Sequence, residues 1–341
     1  MLPFAASAET SIPEGYISIY TIEDLDNVRN DPNGKYILMK DLDLEGINWV
    51  PISGFYSTFD GNGHVIVNLT VSGEGYGGLF GIIDYYAKIQ NLGIVNCMIN
   101  VTGFAGGIAG NARMNPLAVF TTEIENCFVS GTIHSEEEIV GGLVGSLGSS
   151  TIAMQSGRLN VVNCYSMAQV NSSSEGNGAG GLLGAQLDQL TCNMSNSYFG
   201  GSSTSFAIGL CSSLRTSSVF HLDTSVSEGH AYLTPTSVST ALTDAQMRQQ
   251  TSFAGFDFGE TGPWVMPSEG YPILKAFART VAFDANGGEG APEAQVNLRH
   301  EPLTLSTTVP TKEGFYFVGW ASEAVRHMRP AMHTRQMRIL H

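Results

Sequence analysis

The sequence predicts an all-β chain built as a parallel β-solenoid, and three observations carry that prediction. A glycine phrase is written four times, as Gly77-Gly78-Leu79-Phe80-Gly81, Gly106-Gly107-Ile108-Ala109-Gly110, Gly141-Gly142-Leu143-Val144-Gly145 and Gly180-Gly181-Leu182-Leu183-Gly184, with a decayed fifth copy at Ile208-Gly209-Leu210-Cys211. The copies recur at spacings of 29, 35 and 39 residues, the size of units that bury a core only by stacking. Between copies, apolar residues alternate with small or polar ones in short runs, the period of strands rather than helices.

Each unit reads as about three short strands with glycine at the corners, one coil of a solenoid of about five coils. Successive coils then stack roughly 4.8 Å apart. Glycine fits a corner where a Cβ would clash. The aliphatic residue between the glycines is expected to point inward, so that Leu79, Ile108, Leu143 and Leu182 form one interior row. The uneven segments 111–122 and 146–158 read as loops leaving one edge.

A second phrase accompanies the first: Asn96-Cys97-Met98, Asn126-Cys127-Phe128, Asn163-Cys164-Tyr165 and Asn196-Ser197-Tyr198. Aligned by that phrase, Cys97, Cys127 and Cys164 form an interior ladder, and Asn96, Asn126, Asn163 and Asn196 an amide ladder bonded coil to coil. The thiols fit buried, free cysteine. The stacking distance also lies within the Cα–Cα range of a disulfide, so the sequence leaves both readings open. Metal-ligand spacing is missing, since no paired cysteines or adjacent histidines occur there.

The solenoid needs ends, because open sheet edges invite aggregation. Residues 11–75 are expected to hold an N-terminal cap and the first strands. Tyr16 to Ile22 opens as a strand, and Thr21 with Asp24 forms a capping box. Leu25 and Val28 lie on one helical face, and Asp31-Pro32-Asn33-Gly34 stops the helix. Strands follow at Tyr36–Met39 and around Asp41–Leu44, then Phe59-Asp60-Gly61-Asn62-Gly63-His64 as a turn feeding a strand. The solenoid proper is expected over 76–240, its last coil loosened across 213–240. A C-terminal cap is expected over 241–278, with Thr243-Asp244 capping a helix from Ala245 to Gln250. Residues 279–320 change style and form a small β module turned by Asn286-Gly287, a strong hairpin signal. Residues 321–341, with no strand alternation, read as disordered or a foreign tail. At the start, Ala6-Ser7-Ala8 has the small-x-small form of a secretory cleavage site, but the charged and apolar regions before it are missing. Residues 1–10 are thus either a signal-peptide remnant or a chance match.

Composition narrows the function class. The 341 residues are 43% hydrophobic, with 40 glycines and only 14% charged residues, which suits a turn-rich β chain with a large core. Thirty-one acids against 16 bases give a net charge of −15, against nucleic acid as a partner, because phosphate binding needs clustered Lys and Arg. No stretch approaches the roughly 20 apolar residues of a membrane helix, so membrane insertion is not expected. Five cysteines, an odd number, make no disulfide framework.

These phrases also carry a resemblance. Gly-Gly-Leu-Val-Gly with the Asn-Cys-Tyr phrase is similar to the GLUG repeat of bacterial surface and secreted proteins, including some immunoglobulin A proteases. The opening Ile-Tyr-Thr-Ile-Glu-Asp-Leu, the following Tyr-Ile-Leu-Met-Lys-Asp-Leu-Asp-Leu and Thr-Phe-Asp-Gly-Asn-Gly-His, and the closing Leu242–Met247 through Gly270–Lys275 extend the likeness over about 16–278. Residues 280–320 resemble the Listeria–Bacteroides repeat, a β-grasp-like module of surface proteins, with the strand after Gly319-Trp320 missing. The resemblance implies export and display and supplies no catalytic residues.

The rival class is a β-helix enzyme acting on glycans, which needs convergent carboxylates. The candidates are Asp41 and Asp43, two apart and so on one strand face, with Asp60 and Asp188. Asp84, Glu123, Glu125 and the run Glu136-Glu137-Glu138 are sparse on the coils, and the run reads as a solvated loop. His64, His134, His221 and His230 are scattered, and no nucleophile elbow or zinc-protease helix appears. A threonine ladder for ice binding is missing too. The expected function is therefore an exported, surface-displayed scaffold for adhesion or ligand binding, with no catalytic, cofactor or metal residues. Its partner would be a host or neighbouring-cell protein or glycan, stacked on Tyr85, Tyr86, Tyr165 and Tyr198. The alternative is a glycan-active β-helix enzyme or a non-catalytic module of one.

Overall fold

A computed structural model of the chain describes residues 12–321 and 336–340, apart from 114–119, 137–138, 149–156, 174–177, 188–189, 212, 227 and 231–238. Ala6-Ser7-Ala8, Glu137, Glu138 and Asp188 lie outside the described residues. The chain divides into two compact units, Met1–Pro263 and Trp264–His341, the division falling inside the 241–278 stretch read from the sequence as one cap.

The first unit is a parallel β-solenoid. Its described strands form one sheet of fifteen strands and two of five, every pairing within them parallel. One coil runs through Phe120–Glu125, Phe128–Ser135, Val140–Gly141 and Val144–Leu147. The next runs through Gly157–Val162, Tyr165–Ser166, Gln169–Ser172, Ala179–Gly180 and Leu183–Gln186. The two pair strand for strand, with Phe120 opposite Gly157, Phe128 opposite Tyr165, Val140 opposite Ala179 and Val144 opposite Leu183.

The glycine phrase forms the corner between the two smaller sheets. Leu79, Ile108, Leu143 and Leu182 are all buried. The Ile108 amide donates to the Leu143 carbonyl at 3.0 Å, and the Leu143 amide to that of Leu182 at 2.9 Å. The expected interior row is present, each aliphatic side chain contributing about 1.5–3 kcal/mol by burial. At Gly141 a Cβ would fall on the Val144 carbonyl and lie 2.7 Å from the Gly184 amide. Backbone crossing backbone at that distance leaves room only for glycine.

The asparagine–cysteine phrase stacks in a different phase from the one its spelling suggests. Strand Lys88–Val101 passes two left-handed asparagines, Asn91 (φ 51°) and Asn96 (φ 55°). Glu125 pairs with Gln90, and the Asn126 side-chain amide donates to Asn91 Oδ1 at 3.1 Å. Asn163 in turn donates to Asn126 at 3.1 Å. The ladder is therefore Asn91–Asn126–Asn163. Asn96 belongs to another column and donates to Asn68 Oδ1 at 2.7 Å. Asn196 shares the left-handed backbone, φ 47°. Cys97 pairs with Gly131 across a β-bulge, so it is not in line with Cys127 and Cys164. The row containing Cys127 and Cys164 continues to Ser197, whose hydroxyl accepts from the Cys164 amide at 3.1 Å.

One residue further on, facing away from the interior row of Cys127 and Cys164, runs a buried aromatic column. Phe128 and Tyr165 stack at 5.0 Å with an 8° tilt, and Tyr165 and Tyr198 at 5.1 Å with 2°. It begins where Gly93 stands opposite Phe128, since a Cβ there would run into the Phe128 ring. Phe220 continues it opposite Tyr198. Phe253 and Phe256 then close edge-on against Phe220, at 5.2 and 5.7 Å.

Both helical ends follow from capping chemistry. Helix Ile22–Asn27 starts at Thr21, whose side chain accepts from the Asp24 amide while Asp24 accepts from Thr21. Leu25 and Val28 are both buried. Helix Asp244–Met247 starts at Thr243, with Gln246 closing the box. It is shorter than the expected Ala245–Gln250, and a 3-10 turn takes Gln250–Ser252. The expected turn at Gly61–Gly63 lies within strand Thr58–Val67, as a bulge between Asp60 and His64.

The second unit pairs Trp264–Val265 with Ile273–Leu274 and Ala278–Val281 with Gln295–Leu298, both antiparallel. Asn286 and Gly287 have φ of 50° and 77°, the left-handed pair expected. They turn within the connection between Val281 and Gln295 rather than joining two strands directly. Strand Tyr316–Ala321 pairs in parallel with Gln336–Leu340, where the sequence reading expected no further strand.

Candidate functional site

The acids singled out in the sequence lie in the first coils, and each accepts hydrogen bonds from a later coil. Asp41 and Asp43 share an exposed face while Leu42 and Leu44 point inward. Asp41 Oδ1 accepts from the Val65 amide at 3.1 Å and lies 3.0 Å from His64 Nδ1. Asp43 accepts from the Asn68 amide group at 2.8 Å. Asp60 accepts from Asn91 at 3.1 Å, Gln90 at 2.6 Å and the Asn62 backbone at 2.8 Å. In both columns every Asn donates toward the N-terminal end, Asn163 to Asn126 to Asn91 to Asp60 and Asn96 to Asn68 to Asp43. A column of amides all pointing one way ends on a group that needs only to accept, and a carboxylate is that group. The three acids accept from different groups, Asp41 from Val65, Asp43 from Asn68 and Asp60 from Gln90 and Asn91.

The cysteines are five buried, free thiols. Burial pushes Cys97 and Cys211 up to about 12 and Cys127 and Cys192 well above their ordinary value. Cys127 is raised further by the neighbouring Cys164. A thiol kept protonated by burial is a poor nucleophile and a poor metal ligand. Among the described residues, no group of three His, Cys, Asp or Glu side chains is placed to hold a metal, and no helix is long and apolar enough to cross a membrane. His134 Nδ1 lies 3.1 Å from the Asn171 carbonyl, and His221 is buried beside Ser239.

The four tyrosines expected to stack a ligand separate into two pairs. Tyr165 and Tyr198 are buried within the stacked column, with Phe253 against Tyr198 at 5.8 Å, and so are not available to a ligand. They sit opposite Phe128 and Phe220 in the register, outside the cluster that fills the solenoid. Tyr85 and Tyr86 lie on the outer surface and gather two aromatics that the sequence reading did not single out. Tyr86 is 49% exposed; Tyr56, Tyr85 and Phe120 are partly buried. The Tyr86 ring is 6.1 Å from Tyr56 and 5.5 Å from Phe120, and Tyr85 is 6.0 Å from Phe120. Each comes from the same corner of one of three successive coils. The missed signal was one of position: Tyr56 and Tyr86 each stand two residues before a coil's long strand, and Phe120 is the first residue of the next.

Beside this cluster, Asp84 is buried and holds the half-exposed Arg113 guanidinium through two bonds of 2.7 Å. Those bonds raise the arginine's pKa against the opposing effect of its burial. Lys88 lies 3.3 Å from Glu123 and 3.1 Å from Glu125. Partial burial works against its charge, but the two glutamates outweigh it and its pKa rises.

The comparisons with known proteins agree with this architecture. Residues 280–330 match the Listeria-Bacteroides repeat domain. That is a repeat of surface proteins, and the match runs past Trp320, where the sequence reading ended the module. Halomucin of Haloquadratum walsbyi (strain DSM 16790 / HBSQ001) is 29% identical over 182 residues, which is 47% of this chain and 2% of halomucin. The chain thus corresponds to a small fraction of that relative's length. The 1.30 Å crystal structure of a candidate immunoglobulin A1 protease from Bacteroides ovatus aligns with a TM-score of 0.54 at 19% identity, over 76% of this chain and 92% of that one. At that identity the likeness is one of fold. The repeat match and the solenoid together point to a protein of the bacterial surface type.

Proposed function

We propose that this chain is an exported surface scaffold, of GLUG-repeat type over about 16–278, that holds a protein or glycan ligand on the outer face of its solenoid and does not turn it over. One observation carries the reading: Asp41, Asp43 and Asp60, the acids best placed for catalysis, accept hydrogen bonds that tie one coil to the next. Catalysis needs groups converging on one point with pKa values matched to the task. A repeat array instead presents a long surface suited to many weak contacts. The Listeria-Bacteroides match at 280–330 supports display at a surface.

The second reading, a glycan-active enzyme, is favoured by His64 at 3.0 Å from Asp41, the arrangement of a base held by a carboxylate. The purified full chain should therefore be incubated with a panel of polysaccharides, following reducing ends and unsaturated uronates. The scaffold reading predicts no turnover. Turnover that disappears in a folded Asp41→Asn or Asp60→Asn variant establishes the enzyme instead.

A further inference from the structure

We infer that the corner carrying Tyr56, Tyr85, Tyr86 and Phe120 is a binding subsite for an uncharged glycan chain. The inference rests on the scaffold reading and names the place and the chemistry of its ligand.

The first argument is the rings themselves. Four aromatics from three successive coils meet on the outer surface, with centroids 5.5–6.5 Å apart. At the asparagine–cysteine corner the aromatics are instead buried, as Phe128, Tyr165 and Tyr198 are, and the exposed Tyr76 stacks on Phe104 alone among the described rings. A pyranose ring offers a flat face of C–H bonds matched to an aromatic surface, and hydroxyls around its rim matched to polar groups at the edge. Tyrosine is suited to such a place because it presents an apolar ring and a hydroxyl that stays wet.

The second argument is the backbone. Tyr85 has φ 49°, and of the other described non-glycine residues with positive φ all but Ser218 are asparagine. A bulky residue held in the left-handed region costs about 1–3 kcal/mol and persists only where the surroundings fix it, often at ligand clamps. Here the Tyr85 amide donates to the Arg113 carbonyl at 3.1 Å, and the Thr122 hydroxyl donates to the Tyr85 carbonyl at 2.6 Å. The asparagine that other corners carry would sit there without strain, yet an aromatic stands in its place.

The third argument is charge. Arg113 is fixed by the buried Asp84 through Nε and one terminal nitrogen, which leaves guanidinium N–H groups for hydroxyl acceptors while the pair is neutral. Lys88 is matched by Glu123 and Glu125. With a net charge of −15 on the chain, an anionic polysaccharide meets repulsion, and the local pairs leave little to attract one. A few oriented polar groups around an aromatic platform are the ordinary make-up of a small-ligand site.

The test is titration of the full chain with short linear oligosaccharides of glucose, mannose, xylose and N-acetylglucosamine, with polygalacturonate and a random-peptide library beside them. Binding of at least one neutral oligosaccharide is expected, weakened about tenfold or more by Tyr86→Ala. Tyr86→Phe should retain it, and Met98→Ala, exposed on another strand segment, should not alter it. Circular dichroism of each variant confirms that the array is folded, and Tyr86 is exposed enough for its truncation to spare the core. A neutral glycan bound equally well by Tyr86→Ala overturns the subsite and leaves the scaffold reading standing. Binding of polygalacturonate or peptides alone overturns the neutral-glycan class, and binding of none of the probes overturns the inference altogether.

Discussion

Asn68, Asn91, Asn96, Asn126 and Asn163 each combine a left-handed backbone with an amide that reaches the neighbouring coil. Asn tolerates that backbone better than other residues with a side chain, and its group both donates and accepts. Where a cysteine takes the next position, it is governed chiefly by burial. Cys97 holds its proton to about 12 against an ordinary 9.0, because the interior disfavours the thiolate. The unfolded chain releases that proton near 9 and the folded chain does not. Between those values the unfolded state binds fewer protons, so stability falls as pH rises, and below 9 the contribution is constant. Urea midpoints of wild type and Cys97→Ala, compared at rising pH, should show this directly. The difference between them should hold steady through neutral pH and shift against the wild type above 9. A constant difference across that window would mean that Cys97 ionises freely in the fold.

At the scale of the element, the interior rows carry the stability. Leu143 sits between Ile108 and Leu182, bonded to both coils through its own backbone. Leu143→Arg places a cation where no partner faces it, at a cost of several kcal/mol. The variant should lose cooperative unfolding by circular dichroism, whereas Leu143→Met, which conserves volume, should fold with a cost below about 1.5 kcal/mol. This row was readable in the sequence because flanking glycines mark its place in every coil. The capping box at Thr21 was readable for the same reason, a fixed local spacing, and at Thr243 the cap was readable but not the box that Gln246 closes. The asparagine column was only half readable. Strand Lys88–Val101 contains Asn91-Leu92 and Asn96-Cys97 five residues apart, and the spelling Asn-Cys favours the second. The register selects the first, because Leu92 takes the interior place that Cys127 takes one coil later. Leucine and cysteine both fill interior places, so identity of letters does not fix phase.

For the whole molecule, what the sequence could not show is which side of a corner faces water. Tyr165 and Tyr198 read as surface rings because tyrosine is amphipathic. They are buried because the corner that carries them closes over a column begun by Phe128 and ended by Phe253 and Phe256. Tyr56, Tyr85, Tyr86 and Phe120 are scattered in sequence, and only the stacking of coils brings them together. Both outcomes depend on one quantity, the register between successive coils. It is tested most directly by double-mutant cycles in urea denaturation, pairing Asn126→Ala with Asn91→Ala and separately with Asn96→Ala. The stacking described here predicts a coupling of about 0.5–3 kcal/mol between Asn91 and Asn126 and additivity between Asn96 and Asn126. Coupling of Asn126 to Asn96, with Asn91 additive, would contradict it.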